Sequence, residues 1–203
     1  MVRSHRRRGT VGATPRRLRR WITVVATLAT VLAVSAAVPA SATTDPTGPP
    51  RPGVGAHICY QAQVSTIGWL DWVCDGNVGG TTGRNRAILA LRFKEWGQGT
   101  ICATANVRNF GWQNLRCGFE GEVVEVGIAD GSDPMYGLQI KVDGSLCLRP
   151  HVKNVGWRDT RCSGWGQFVS WSAEDDPRVC DATWPFGCVF HLTHLEAVVV
   201  FRQ

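Results

Sequence analysis

Three kinds of motif are missing from this chain. It contains no Gly-x-Ser-x-Gly elbow, no glycine-rich loop closing on Lys-Ser or Lys-Thr, and no His-Glu-x-x-His pair. The common nucleophile, nucleotide and zinc-hydrolase constellations are therefore absent, and nothing calls for a cofactor or a catalytic residue. A basic surplus is missing as well. The formal charge of +6 misleads, because eight of the 22 lysines and arginines lie in the first 42 positions with none of the 16 acids, leaving 14 basic against 16 acidic side chains. A body without a basic excess has no counterpart for a phosphate backbone, so nucleic acid is excluded as a partner. After residue 42 no apolar run is long enough to span a bilayer.

What is present begins with an export signal. Residues 1–42 combine an arginine-rich start, an apolar run from Trp21 to Val38, and Ala40-Ser41-Ala42, which fits an A-x-A cleavage site. A retained anchor is the alternative, and Arg19-Arg20-Trp21 matches a twin-arginine signal too loosely to fix the route. Residues 43–56 hold four prolines and three glycines with little apolar surface, the composition of an extended lead-in. The folded domain is then 57–203, large enough to bury a core of its own. Export implies a secreted, extracellular or cell-surface protein in an oxidising compartment.

The eight cysteines organise that domain. Cys59 and Cys74, Cys102 and Cys117, and Cys147 and Cys162 share one spacing of fifteen positions, and each unit repeats a Val (64, 107, 152) and a Gly-Trp pair (Trp69, Trp112, Trp157) at fixed offsets. This is a threefold internal repeat. Read as hairpins with the cysteines facing across an antiparallel pair, each unit forms one disulfide. Extending the same register without interruption sets Val64 opposite Trp69, Val107 opposite Trp112 and Val152 opposite Trp157. That pairing places the tryptophans and valines together in the structural core, on the face away from the cysteines. Cys180 and Cys188 remain for a fourth bridge.

An apolar, β-branched run follows each hairpin: Ile88 to Phe93, Leu138 to Val142 and Leu195 to Phe201. These read as third strands. The fold class is all-β, a pseudo-threefold repeat domain with units 57–98, 99–144 and 145–203, the last carrying an insertion at 163–194. Three strands per unit favour a β-prism-like arrangement over a β-trefoil.

The first unit, with Gln61-Ala62-Gln63-Val64, Ile67-Gly68-Trp69, Trp72-Val73, Gly80-Thr81-Thr82-Gly83 and Ile88-Leu89-Ala90-Leu91, resembles the clostridial hydrophobic-with-tryptophan (ChW) repeat. Lys153-Asn154-Val155-Gly156-Trp157 and Leu195-Glu196-Ala197-Val198 extend the resemblance to the third unit; the middle unit keeps Val107, Asn109, Gly111 and Trp112. The cysteine staples depart from the usual repeat. The resemblance implies a secreted or surface module of the kind proposed to bind polysaccharide, with no catalytic residues to carry over. Ricin-type threefold lectins also pair cysteines within a lobe, but their Gln-x-Trp signature is absent.

Other constellations point away from metal. His191 and His194 sit three apart, which on a strand places them on opposite faces. Spacings of fifteen suit disulfides rather than zinc clips, and Asp130-Gly131-Ser132-Asp133 reads as a turn. Candidate ligand-binding residues are Thr66, Asn109 and Asn154 at the hairpin tips, together with Trp165, Trp171, Trp184 and Phe186 in the insertion, where a loop on a rigid scaffold can present aromatics. The combined reading is a secreted, non-catalytic module for an extracellular ligand, foremost a glycan or cell-surface polysaccharide. The alternative is a protein-binding adhesion or inhibitor module acting through 163–194 on a surface protein.

Overall fold

The computed structural model describes residues 53, 55–97, 99–177, 179 and 193–203. Residues 1–52, with the signal and most of the lead-in, therefore lie outside the described residues, as do Cys180, Trp184, Phe186, Cys188 and His191. The described chain is all-β apart from a single 3-10 turn at Ala173–Asp175. Unit 1 comprises β1 (His57–Val64), β2 (Gly68–Trp69), β3 (Val73–Cys74), β4 (Gly79–Gly80) and β5 (Ile88–Trp96). Unit 2 repeats the order as β6 (Thr100–Val107), β7 (Gly111–Trp112), β8 (Arg116–Phe119), β9 (Val124–Gly127) and β10 (Met135–Val142). Unit 3 does so as β11 (Leu146–Val152), β12 (Gly156–Trp157), β13 (Arg161–Cys162), β14 (Val169–Ser172) and β15 (Leu195–Arg202).

Each unit builds one five-stranded sheet around its first and last long strands, which pair antiparallel. The short return strands pair along the outer edge of the first strand. The fourth strand leaves home. Unit 2 lends β9 to β5 of unit 1, unit 3 lends β14 to β10 of unit 2, and unit 1 lends β4 to β15 of unit 3. Every unit thus completes its neighbour, and the exchange closes on itself as a pseudo-threefold arrangement.

The crossing points of that exchange explain three glycines. Gly80 pairs with Ala197 and Gly127 with Ala90, and a Cβ on either would sit 2.4 Å from a carbonyl oxygen and 2.7 Å from an α carbon of the receiving strand. At the third crossing the roles reverse. Ser172 stands on the lent strand and Gly137 on the receiving one, where a Cβ would meet Trp171 O at 3.0 Å and Ser172 Cα at 3.2 Å. Close backbone approach requires that one partner lack a side chain, and either partner serves.

The core lies between the inner faces of the three sheets. Alternate residues of each long strand, such as Ile58, Tyr60, Ala62 and Val64 of β1, enter one shared cluster, and Val107 and Val152 occupy the equivalent places. Two polar ties join unit 1 to the end of unit 3. The Tyr60 hydroxyl donates to Asn77 O and accepts from Val200 N at 3.0 Å, and burial pushes its pKa up to about 12. Arg202 Nη2 lies 2.5 Å from Glu95 Oε1, a carboxylate with 0% exposure.

The three disulfides Cys59–Cys74, Cys102–Cys117 and Cys147–Cys162 form as the spacing predicts. The register then departs from the expectation. Cys59 faces Cys74 and Tyr60 faces Val73, but farther along Gln63 faces Trp69 and Val64 faces Gly68. Two residues of β1 (61 and 62) therefore oppose three of the return (70 to 72), and units 2 and 3 repeat the same irregularity. One extra residue is a β-bulge, and it moves every later side chain to the other face. The core assignment of Trp69, Trp112 and Trp157 is thereby corrected: Trp69 and Trp157 are half-buried and Trp112 is exposed, all on the outer, cysteine-bearing face. A side chain of the first strand catches the bulge carbonyl in each unit. Gln61 Nε2 donates to Leu70 O at 2.6 Å, Thr104 Oγ1 to Gln113 O at 2.7 Å, and Arg149 Nε to Arg158 O at 3.4 Å.

Candidate ligand-binding faces

Because the bulge turns the repeated tryptophans outward, each sheet presents one indole opposite a polar side chain of its first strand: Gln63, Asn106 or His151. The three settings differ in what covers the ring. Over Trp69 lies the guanidinium of Arg92 at 4.0 Å from the centroid, with Arg92 Nε held 2.7 Å from Glu125 Oε2 on the strand lent by unit 2. Arg149 lies 5.2 Å from the Trp157 centroid, and His151 meets the same ring edge-on at 5.0 Å. Trp112 is 39% exposed, and among the described residues no cation is stacked on it.

The hairpin tips adjoin these rings. Thr66, Asn109 and Asn154 are exposed and each adopts a left-handed conformation, with φ of 66°, 64° and 65°, at the third position of a turn closed by a hydrogen bond back to Val64, Val107 or Val152. Asn suits that conformation because its short amide tolerates positive φ; Thr, being β-branched, suits it poorly. The residue type at the tips is thus set first by the turn. Asn109 also donates to Asp133 Oδ1 at 2.7 Å, which commits Asp133 to the tip.

Beside Trp112 the tip of unit 2 opens into a groove of about 220 Å³ lined by Asn106, Arg108, Asn109, Gly111, Tyr136 and Glu174. Arg108 Nε donates to the Tyr136 hydroxyl, and Glu174 belongs to the 3-10 turn that follows the strand lent by unit 3. In units 1 and 3 the neighbouring unit fills the corresponding space differently. Gln63 Nε2 donates to Ala129 O at 3.2 Å beside the apolar bulge residue Leu89. In unit 3, Glu196 Oε2 accepts from Gly83 N at 3.3 Å and lies 3.2 Å from His151 Nδ1. His194, just before Glu196, has its pKa lowered to about 4 by burial, with the charges of Lys153 and Arg108 adding to the effect.

The insertion residues separate. Trp165 is 70% exposed, whereas Trp171 is 1% exposed on the lent strand β14, where its Nε1 donates to Asp176 Oδ2 at 3.2 Å. Asp176 is itself gripped by Arg158 through two contacts of 2.5 and 2.8 Å. Trp171 is therefore packed into the core, because unit 3 uses it to complete the sheet of unit 2. Sequence reasoning missed Asn106, Arg108 and Tyr136, which the β6–β10 pairing brings together, and Glu174, which joins them through strand exchange. Among the described residues no cluster of three or more His, Cys, Asp or Glu side chains is placed to hold a metal.

Residues 63–94 match the clostridial hydrophobic W (ChW) family. The matched ChW segment runs from Gln63 through the tip, the outward Trp69, the lent strand β4 and most of β5, so the family's repeat corresponds to one return, one exchange and one closing strand. No curated protein and no solved structure matches the chain.

Proposed function

We propose that this protein is a secreted, non-catalytic module that binds an extracellular glycan through the outward tryptophans of its sheets. One observation carries the reading: three repeated indoles are turned to the outer faces by the same bulge, opposite the amides of Gln63 and Asn106 and the imidazole of His151. A flat, rigid aromatic face covers the C–H surface of a pyranose at little rotamer cost, and adjacent polar groups hold its hydroxyls. The three disulfides and the ChW segment are consistent with an extracellular location. Exposure of Trp165 at 70% favours the second reading, a surface-protein partner engaged by 163–194.

The test is a glycan array probed with residues 43–203, followed by Trp69→Ala, Trp112→Ala and Trp157→Ala, singly and together. Under the proposal binding is lost in the triple variant while the protein still unfolds in one cooperative transition, lowered by the partial burial of Trp69 and Trp157. Retained glycan binding in the triple variant would sink it. Binding abolished instead by Trp165→Ser, with a protein ligand, would favour the second reading.

A further inference from the structure

We infer that the middle unit carries the dominant site and that this site takes a neutral glycan, one sugar stacked on Trp112 and the adjoining sugar in the groove of Asn106, Asn109 and Tyr136. The inference rests on the glycan reading above and makes it asymmetric. Repetition of sequence would suggest three equal platforms, yet the guanidinium of Arg92 occupies a face of Trp69 and that of Arg149 lies over Trp157. A sugar must displace those cations or use what remains of each ring. Trp112 needs no such displacement.

The groove adds a second contact beside Trp112. At about 220 Å³ it is smaller than the roughly 300–1,000 Å³ of sites that enclose a drug-sized ligand, which suits a single ring continuous with a chain outside. Its lining includes two amides and a phenol, of which Asn109 is exposed while Asn106 and Tyr136 are 2% and 6% exposed, and its open surface is mostly apolar, which suits the C–H face of a sugar ring. Gly111 lines it with φ of +68°, and a Cβ there would meet nothing within 4 Å, so a wall of the groove is kept free of side chain. The bulge residue at this position is Tyr136 in unit 2, where units 1 and 3 have Leu89 and Glu196, and Glu196 is spent on the turn at Gly83.

Charge selects the ligand class. Arg108 and Glu174, one cation and one anion, both line the groove, so its lining carries no surplus of positive charge for a polyanion. Binding of a uronic-acid or phosphate-bearing polymer would need a basic surplus and would weaken steeply with salt. A neutral chain needs neither.

Isothermal titration of residues 43–203 with cellotetraose, chitotetraose and mannotetraose as neutral probes, and with polygalacturonate as the anionic one, tests the inference. At least one neutral probe should bind with one site per chain, and Trp112→Ala should weaken it at least about tenfold while Trp69→Ala and Trp157→Ala change it less than about threefold. Gly111→Asn keeps a residue that tolerates positive φ and places an amide in the groove, so it should weaken binding with the melting temperature held. Affinity should vary less than about twofold between roughly 50 and 500 mM salt. Three sites per chain, or equal losses from the three tryptophan variants, would overturn the asymmetry and leave the glycan reading standing. Salt-sensitive binding of polygalacturonate alone, or no neutral probe bound, would overturn the ligand class. Binding unaffected by any tryptophan variant would overturn both readings.

Discussion

Alanine substitution at the strand crossings measures how tightly the exchanged strands lie on their hosts. At Gly127 the added Cβ would stand 2.4 Å from Leu89 O and 2.7 Å from Ala90 Cα, and the residue holds φ of +93°. The backbone conformation alone costs an L-residue about 1 to 3 kcal/mol, and relieving the overlap adds about 1 to 3 more, for a total of roughly 2 to 6 kcal/mol. Gly80→Ala, with φ of +119° and the same two distances, should cost as much. Two controls separate the terms. Gly111 has φ of +68° with no atom within 4 Å, so Gly111→Ala should cost only about 1 to 2 kcal/mol, the conformational part. Gly137 has no positive-φ penalty and nearest contacts of 3.0 to 3.2 Å, so Gly137→Ala should cost about 1 kcal/mol, partly offset by lost unfolded-state entropy. Scanning calorimetry on oxidised protein should therefore place Gly127→Ala and Gly80→Ala about 10 °C below wild type and the two controls within about 5 °C. Ala90→Gly should not rescue Gly127→Ala, because the opposing atoms are backbone. If Gly127→Ala melts with Gly111→Ala, the strands do not approach as described and the exchange argument fails.

Two further outcomes follow from particular groups. His194, with its pKa lowered to about 4, binds fewer protons folded than unfolded between about pH 6.5 and 4, so stability is complete above about 6.5 and falls as pH drops through that window. Denaturant unfolding should show a loss of about 2 kcal/mol from pH 7 to 4 after allowance for solvent screening, absent in His194→Leu; an equal loss in that variant assigns the effect elsewhere. The paired substitution Cys102→Ser with Cys117→Ser should cost about 3 kcal/mol for a loop of fifteen positions, read as a lowered chemical midpoint, and an unchanged midpoint would show the bridge to be dispensable.

The repeat was legible because its markers are fixed by pairing geometry: cysteines that face one another, and valines that return to the core every second residue. Both sit on the long first strands, where nothing interrupts the alternation. The tryptophans were misplaced by one residue of bulge, and the segments that form it, Leu70-Asp71-Trp72, Gln113-Asn114-Leu115 and Arg158-Asp159-Thr160, have no residue type common to all three at any aligned position, Asp71 and Asp159 being the one shared pair. Backbone geometry makes the bulge, with its carbonyl satisfied by Gln61, Thr104 or Arg149, so composition carries little trace of it. Trp171 was misread for another reason. Strand exchange is a long-range pairing with no local signature, and without it a tryptophan nine positions beyond Cys162 looks like insertion and not like the sheet of unit 2.

The same exchange explains how three copies of one unit come to present three different surfaces. Each outer face is completed from next door: Glu125 of unit 2 holds the arginine over Trp69, Glu174 of unit 3 lines the groove beside Trp112, and Gly83 of unit 1 engages the carboxylate beside His151. The contributing residues lie on the lent strand or just beyond it. The inner faces and the glycine crossings, which hold the architecture, are contributed by other positions. Substitution of Glu125 or Glu174 therefore alters a site with little effect on the shared core, whereas substitution of Val64, Val107 or Val152 does the reverse. The three outer faces thus differ at the exits of the exchanged strands, and the groove beside the exposed Trp112 is one of those places.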